Sequence, residues 1–211
     1  MRLRTTAWVG IATISAGLIL FSGKLLWSKT RTWVPVNLAI PLSVGSLPPI
    51  QFTTNLRALY LIDIEVERKL PFERLNCLLG VDTNEKRLAS CPEAPVIGAS
   101  WVLSNHGVIV ASSSTAENKG GVWAADTIAR QIGSFMSEKQ NYTLVVQILA
   151  NGSVLASCSP RLKVEVHPQS YEDDAFVDLE VLILSAIAVV SGAIMLVLSA
   201  RRERRRIRQS P

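Results

Sequence analysis

Histidine is almost missing from this chain, with two residues in 211, and cysteine is scarce at three. No P-loop, G-x-S-x-G, H-E-x-x-H or G-x-G-x-x-G occurs. The local signatures of nucleotide, hydrolase and zinc-protease chemistry are therefore absent. No cysteine pair has C-x-x-C spacing, so redox and zinc chemistry have no support. Three cysteines are also too few for a disulfide-dense miniprotein. Charge is sparse: 18 % of residues are charged, against about 25 % in soluble domains. With 48 % hydrophobic residues the chain does not read as disordered. Its length suits one ordinary domain.

The 22 Lys/Arg outnumber the 17 Asp/Glu, a net charge of +5. None of that excess lies in the middle. Residues 28–178 hold 13 Lys/Arg and 15 Asp/Glu, a net of −2. Residues 1–27 carry Arg2, Arg4 and Lys24, and residues 179–211 carry six arginines against Glu180 and Glu203. A nucleic-acid binder concentrates basic charge on its folded domain. No nucleic-acid partner is expected here.

Two stretches lack charge and suit a membrane. Thr5–Gly23 is 19 residues long and Val181–Ala200 is 20, where a bilayer span needs about 20 mostly apolar residues. Trp8 and Trp27 are 19 residues apart, or roughly 28 Å along a helix, matching the two interfacial aromatic belts. Lys24 lies where its stem can snorkel to the headgroups. A cleaved signal peptide would need small residues at an A-x-A-like site. Phe21 and Lys24 spoil each such site, so the first span reads as an uncleaved anchor.

Orientation follows from Arg201, Arg202, Arg204, Arg205, Arg206 and Arg208, which directly follow the second span. Such clusters stay cytoplasmic. The expected layout is a cytoplasmic N-tail (1–4), a first transmembrane helix (5–27) and an extracytoplasmic β-sandwich (28–170). An acidic linker (171–178), a second transmembrane helix (179–200) and a basic cytoplasmic C-tail (201–211) follow. The expected location is a bacterial inner membrane, with both termini cytoplasmic and residues 28–178 periplasmic. Small residues at Ala12/Ala16, Thr13/Gly17 and Ala188/Gly192 favour close helix packing. No charge lies mid-span, which argues against transport or proton relay.

The middle reads as strands. In Leu59–Glu67, Tyr60, Ile62, Ile64 and Val66 alternate with Leu61, Asp63, Glu65 and Glu67, the period of a half-buried strand. Trp33–Ile40, Gln51–Leu56, Ser100–Ser104, Val108–Ser112 and Ile128–Phe135 are further candidates, with a turn at Asn105-His106-Gly107. Tyr142–Leu149, Asn151-Gly152 and Ser153–Ser157 read as a hairpin. Arg161–His167 alternates again. Seven or eight short strands predict an all-β sandwich. The stretch from Phe135 through Tyr142, Leu144 and Val146 to Leu162, Val164 and Val166 resembles the last strands of immunoglobulin-like Greek-key domains. That resemblance implies a tyrosine-corner role for Tyr142 and carries no functional residue across. The expected fold is an all-β, Ig-like antiparallel β-sandwich flanked by two transmembrane α-helices.

All three cysteines lie in the expected exported part, and Cys77 and Cys91 are expected to pair across a polar loop. Cys158 reads as a buried hydrophobe. His106 falls in a turn and His167 at a strand end, with no ligand set nearby. Asp63, Glu65 and Glu67 form a row of carboxylates about 6.8 Å apart. Such a row can take a cation or a basic partner. More often it is a solvated sheet face paired with Lys69, Arg161 or Lys163. Trp101 and Trp123 are either core or an aromatic contact beside the Ser112–Gly121 loop. Asp63, Glu65, Glu67, Trp101 and Trp123 make up the candidate interaction face. No catalytic residue, metal or cofactor is expected, and the chain is not expected to be an enzyme. The expected partners are the lipid bilayer and a membrane or envelope protein. The alternatives are a small-molecule or polysaccharide sensing module, and a hydrolase in which a histidine meets a nucleophile and a carboxylate.

Overall fold

The computed structural model of the protein describes residues 2–81, 91–118 and 120–209. The chain divides into a β unit, Thr32–Ser170, and a helical unit of residues 1–31 and 171–211. In chain order the elements begin with α1 (Arg2–Lys29), β1 (Val36–Ala39), β2 (Gly45–Ser46), β3 (Ile50–Thr53), β4 (Leu59–Glu67) and α2 (Phe72–Leu79). Then come β5 (Ala99–Asn105), β6 (Val108–Ser114), β7 (Gly121–Trp123), β8 (Thr127–Met136) and β9 (Asn141–Ile148). A 3₁₀ helix (Ser153–Cys158), β10 (Arg161–Val166) and α3 (Pro168–Gln209) complete the chain.

The β unit is two antiparallel sheets. Sheet I runs β1-β10-β4-β8-β7 and sheet II runs β2-β9-β5-β6, with β3 also paired to β9. The period-two pattern decides which faces meet. Tyr60, Ile62, Ile64 and Val66 of β4 have no exposed surface, and Leu162 and Val164 of β10 join them. Sheet II contributes Trp101, Leu103, Leu144, Val146 and Ile148. One end of the core is aromatic: the Phe135 and Tyr142 rings meet edge-on at 5.2 Å, and Tyr60 stacks on Phe135 at 5.6 Å. Between β4 and β8 the register shifts at Ile62/Asp63, so Ile62 faces Gly133 and Asp63 faces Gln131. Ile132 is the extra residue of this bulge, and its carbonyl accepts the Trp101 indole N–H at 2.8 Å.

The expected hairpin at Asn151-Gly152 does not form. Gly152 has φ −90° and Ser153–Cys158 is a 3₁₀ helix, so no strand follows. The apolar positions explain this. Leu155 and Cys158 are three apart and both buried, which a helical turn satisfies and a strand does not. The helix carries the chain from sheet II to sheet I. Helix α2 was absent from the strand reading. It starts after Pro71, buries Leu75, Leu78 and Leu79, and stops at Gly80, whose φ of 70° suits glycine. Its Cys77 is bridged to Cys91 with Cα atoms 5.6 Å apart. The loop they close lies mostly in 82–90, outside the described residues. Cleaving this bridge with reductant is expected to lower stability by about 3 kcal/mol, from the loop-closure entropy of roughly 15 residues. A denaturation midpoint measured with and without reductant checks it.

In the helical unit, α1 and α3 are both long and apolar enough to cross a membrane, with windows of mean hydropathy 1.8 and 2.8. The two helices meet on a seam with a seven-residue repeat. Lys24 bonds Asp178 at 3.0 Å. A β-carbon placed on Gly17 would lie 2.9 Å from the Ser185 carbonyl, and one on Gly10 would lie 3.0 Å from the Gly192 carbonyl. Positions 24, 17 and 10 thus face 178, 185 and 192. A seven-residue spacing keeps one face of each helix in contact, and glycine lets the backbones approach. Gly192 was among the expected packing residues, and Ala188 also touches the seam at Gly17. Ala12 and Ala16 are not on it. They are exposed, because they sit off the Gly10/Gly17 face. The expected linker 171–178 is helical too, and Asp178 is paired to Lys24.

Candidate interaction surface

The two sheets differ in charge. The strands of sheet I contain seven charged residues, and those of sheet II contain none. On the outer face of sheet I, Asp63 faces Lys163 and Glu65 faces Arg161 across the β4–β10 ladder. Lys163 Nζ reaches Glu65 at 3.3 Å and Glu165 at 2.8 Å. Lys69 pairs with Glu67 at 2.6 Å, and the Ser159 hydroxyl donates to Glu67. Arg161 instead donates to the Asn37 side chain. The Lys69 and Ser159 bonds hold the Glu67 carboxyl below its ordinary value. Burial pushes the Lys163 ammonium down, but the bonds and charges of Glu165 and Glu65 outweigh it and raise it overall.

Asp63 corrects the expectation of a solvated row. It points to the outer face, yet it is 0 % exposed and neither carboxylate oxygen accepts a hydrogen bond. The short Asp side chain sits on a central strand, between β10 and β8, with the charges of Glu165, Lys163 and Glu65 near it. Leu61, on the same face, is likewise buried. Burial, together with the negative charges of Glu165 and Glu65, outweighs Lys163 and pushes the Asp63 carboxyl up to about 7.

Trp101 and Trp123 are not brought together. Trp101 is a core residue of β5. Trp123 is 44 % exposed, with its indole N–H on the Asn76 side chain at 2.9 Å. His106 occupies the β5–β6 turn with φ 48°, and His167 Nδ1 accepts the Gln169 N–H. Among the described residues neither histidine bonds a hydroxyl, thiol or carboxylate, and no cluster of three metal-ligating side chains occurs. Cys158 is buried and unbridged. Arg130, a charged side chain turned between the sheets, donates to the carbonyls of Gly80, Thr115 and Asn118 and ties the α2–β5 and β6–β7 connections together. Burial lowers its guanidinium from the ordinary arginine value. Arg201, Arg202, Arg204 and Arg205 are exposed on α3, and the Arg206 and Arg208 side chains lie outside the described ones.

The surface that strand reading missed is the edge of sheet II. Among the described residues β6 pairs only with β5. Its first three residues are strongly exposed: Val108 66 %, Ile109 66 % and Val110 47 %. The face beside it adds Val102 and Val145, which stand opposite each other on β5 and β9. Natural edge strands are commonly protected by charge, proline or covering elements. β6 carries neither charge nor proline along VIVASSS. That signal lay open in the sequence directly after the Asn-His-Gly turn.

These features define a two-sheet antiparallel domain joined to two apolar helices, with one sheet charged and one sheet neutral. No family model matches the chain, and no curated protein matches it. A crystal structure of a protein from Sulfurospirillum deleyianum is similar over 64 % of this chain and 98 % of that one, at 12 % identity and a TM-score of 0.47.

Proposed function

We propose a non-catalytic, two-pass protein of the bacterial inner membrane that presents an immunoglobulin-like β-sandwich in the periplasm for protein–protein interaction in a cell-envelope assembly. The observation that carries the interaction is the apolar, charge-free edge of β6, which among the described residues pairs on one side only. A free strand edge binds an extended segment through main-chain hydrogen bonds, and alternate side chains add specificity. The absence of charge on sheet II selects the occupant: an uncharged, apolar-rich strand of another envelope protein. A charged strand would bury its charge against Val108, Ile109 and Val110 without a partner.

The immunoglobulin-like reading rests on strand order. β4-β8-β7 and β6-β5-β9 stand as the B-E-D and C′-C-F strands of such a domain. Trp101 lies on the C-equivalent strand, and Tyr142 at the start of the F-equivalent strand accepts the Glu138 N–H at 3.0 Å, as a tyrosine corner does. The terminal strands depart from the pattern. β10 pairs with β4, while β2 and β3 take the place beside β9. The periplasmic reading is supported by the arginine run after the second apolar helix and by the Cys77–Cys91 bridge, which persists in oxidising compartments.

A photo-crosslinking residue at Ile109, in intact membranes, is expected to give an adduct of one defined mass. The same residue at Lys163 on sheet I should give none. Val110→Lys should lower the Ile109 adduct more than about tenfold, because the ammonium would be buried unpaired. Equal adducts from both sheets, or none from Ile109, would contradict the reading.

A further inference from the structure

At one end of sheet II a cleft encloses about 430 Å³, within the roughly 300–1,000 Å³ of small-molecule sites. The strand register builds it. Gln51 faces Thr143 and Thr53 faces Asn141 across β3–β9, so alternate side chains share one surface. The turn after β5, with His106 at φ 48° and Gly107 at φ 81°, closes the other side with Asn105 and His106.

The lining is polar and carries no Asp, Glu, Lys or Arg. Three carboxamides, two threonine hydroxyls and an imidazole supply both donors and acceptors. Thr53 Oγ1 donates to Asn141 Oδ1, which leaves the Asn141 amide hydrogens available as donors. Asn105 Oδ1 is shielded from solvent and accepts no hydrogen bond. An unpaired buried acceptor is costly, so this side chain gains by reorienting onto an incoming donor. The lining offers a phosphate or carboxylate no Lys or Arg, and a cation no Asp or Glu. An apolar ligand would leave the amides unpaired.

We propose that this cleft binds a neutral, hydroxyl-rich ligand with the chemistry of an uncharged oligosaccharide. The site borders the start of β6, where Asn105 pairs with Val108, and its test does not depend on a protein partner.

The experiment uses the full chain in a detergent without sugar head groups. The probes are maltotriose and triacetylchitotriose as neutral ligands and trigalacturonate as a charged one. Hydrogen-exchange mass spectrometry is expected to show saturable, millimolar binding of at least one neutral probe. Added protection should be confined to residues 50–53, 105–107 and 141–143. Asn105→Ala should weaken binding about tenfold, the value of one good hydrogen bond. If Asn105→Ala fails to fold, the exposed Gln51→Ala takes its place with the same expectation. Four results would each overturn the proposal. They are no saturable binding of either neutral probe, equal or tighter binding of trigalacturonate, protection elsewhere, and unchanged affinity in the folded variant.

Discussion

Asp63→Asn is expected to stabilise the β unit at pH 8 by up to about 4 kcal/mol and to have little effect near pH 4. The reason is the burial of an ionisable group without a donor. In the folded chain the carboxyl titrates at about 7, against 3.8 when unperturbed. The folded state therefore binds the proton more tightly than the unfolded state. The stability held by protonated Asp63 is complete below pH 3.8, falls as pH rises toward 7, and is lost above it. A gap of about three pH units at 1.36 kcal/mol each gives the upper figure. Asn removes the titration, so the variant's advantage grows over that same window. Its amide still needs partners, which keeps the gain below the maximum. Denaturant unfolding of both proteins at pH 5 and pH 8 checks this. A pH-independent difference, or an Asn variant less stable at pH 8, would show that Asp63 is held ionised by a partner.

Trp101→Ala is expected to cost about 3–5 kcal/mol, the range for deleting a large aromatic from a core. Trp101 is 2 % exposed, and its indole N–H donates to Ile132 at the β8 bulge. Removing it takes away that carbonyl's 2.8 Å donor and leaves the longer 3.4 Å bond from Asn118. The indole also lies directly over Gly133, where any β-carbon would collide with the ring. Gly133→Ala alone is therefore expected to destabilise by overpacking, about 1–3 kcal/mol or more. In the Trp101→Ala background the same alanine fills part of the space left by the indole. The double variant should be more stable than the sum of the single effects allows. Additive costs in the four-member cycle would mean that Gly133 is required for its backbone and not for the ring.

Much of the sandwich was legible in the sequence because period-two alternation is strong in its central strands. Leu59–Glu67 has the same bounds in sequence and structure, and Arg161–His167 ends one residue later than β10. Where the reading failed, a tertiary contact outranked a local signal. Asn151-Gly152 carries a hairpin signature, but burial of Leu155 and Cys158 turns the following residues into a helical turn. Asp63 fits a solvated alternation, and only the central position of β4 in sheet I makes it buried. Ala12 and Ala16 have the right spacing for packing, but the partner helix selects the Gly10/Gly17 face instead. The candidate surface was least legible. The apolar start of β6 looked like any strand, and its importance depends on having no second pairing strand among the described residues.

The proposed envelope role requires the β unit to lie across a membrane from the basic tail. Single cysteines at Lys139, on the β unit, and at Ser210, in the tail, test this directly with a membrane-impermeant thiol reagent. The native background is quiet, since Cys77 and Cys91 are bridged and Cys158 is buried. In intact spheroplasts the Lys139→Cys variant should label fully, and Ser210→Cys should label only after the membrane is permeabilised. Labelling of Ser210→Cys without permeabilisation, or protection of Lys139→Cys, would contradict the proposed topology.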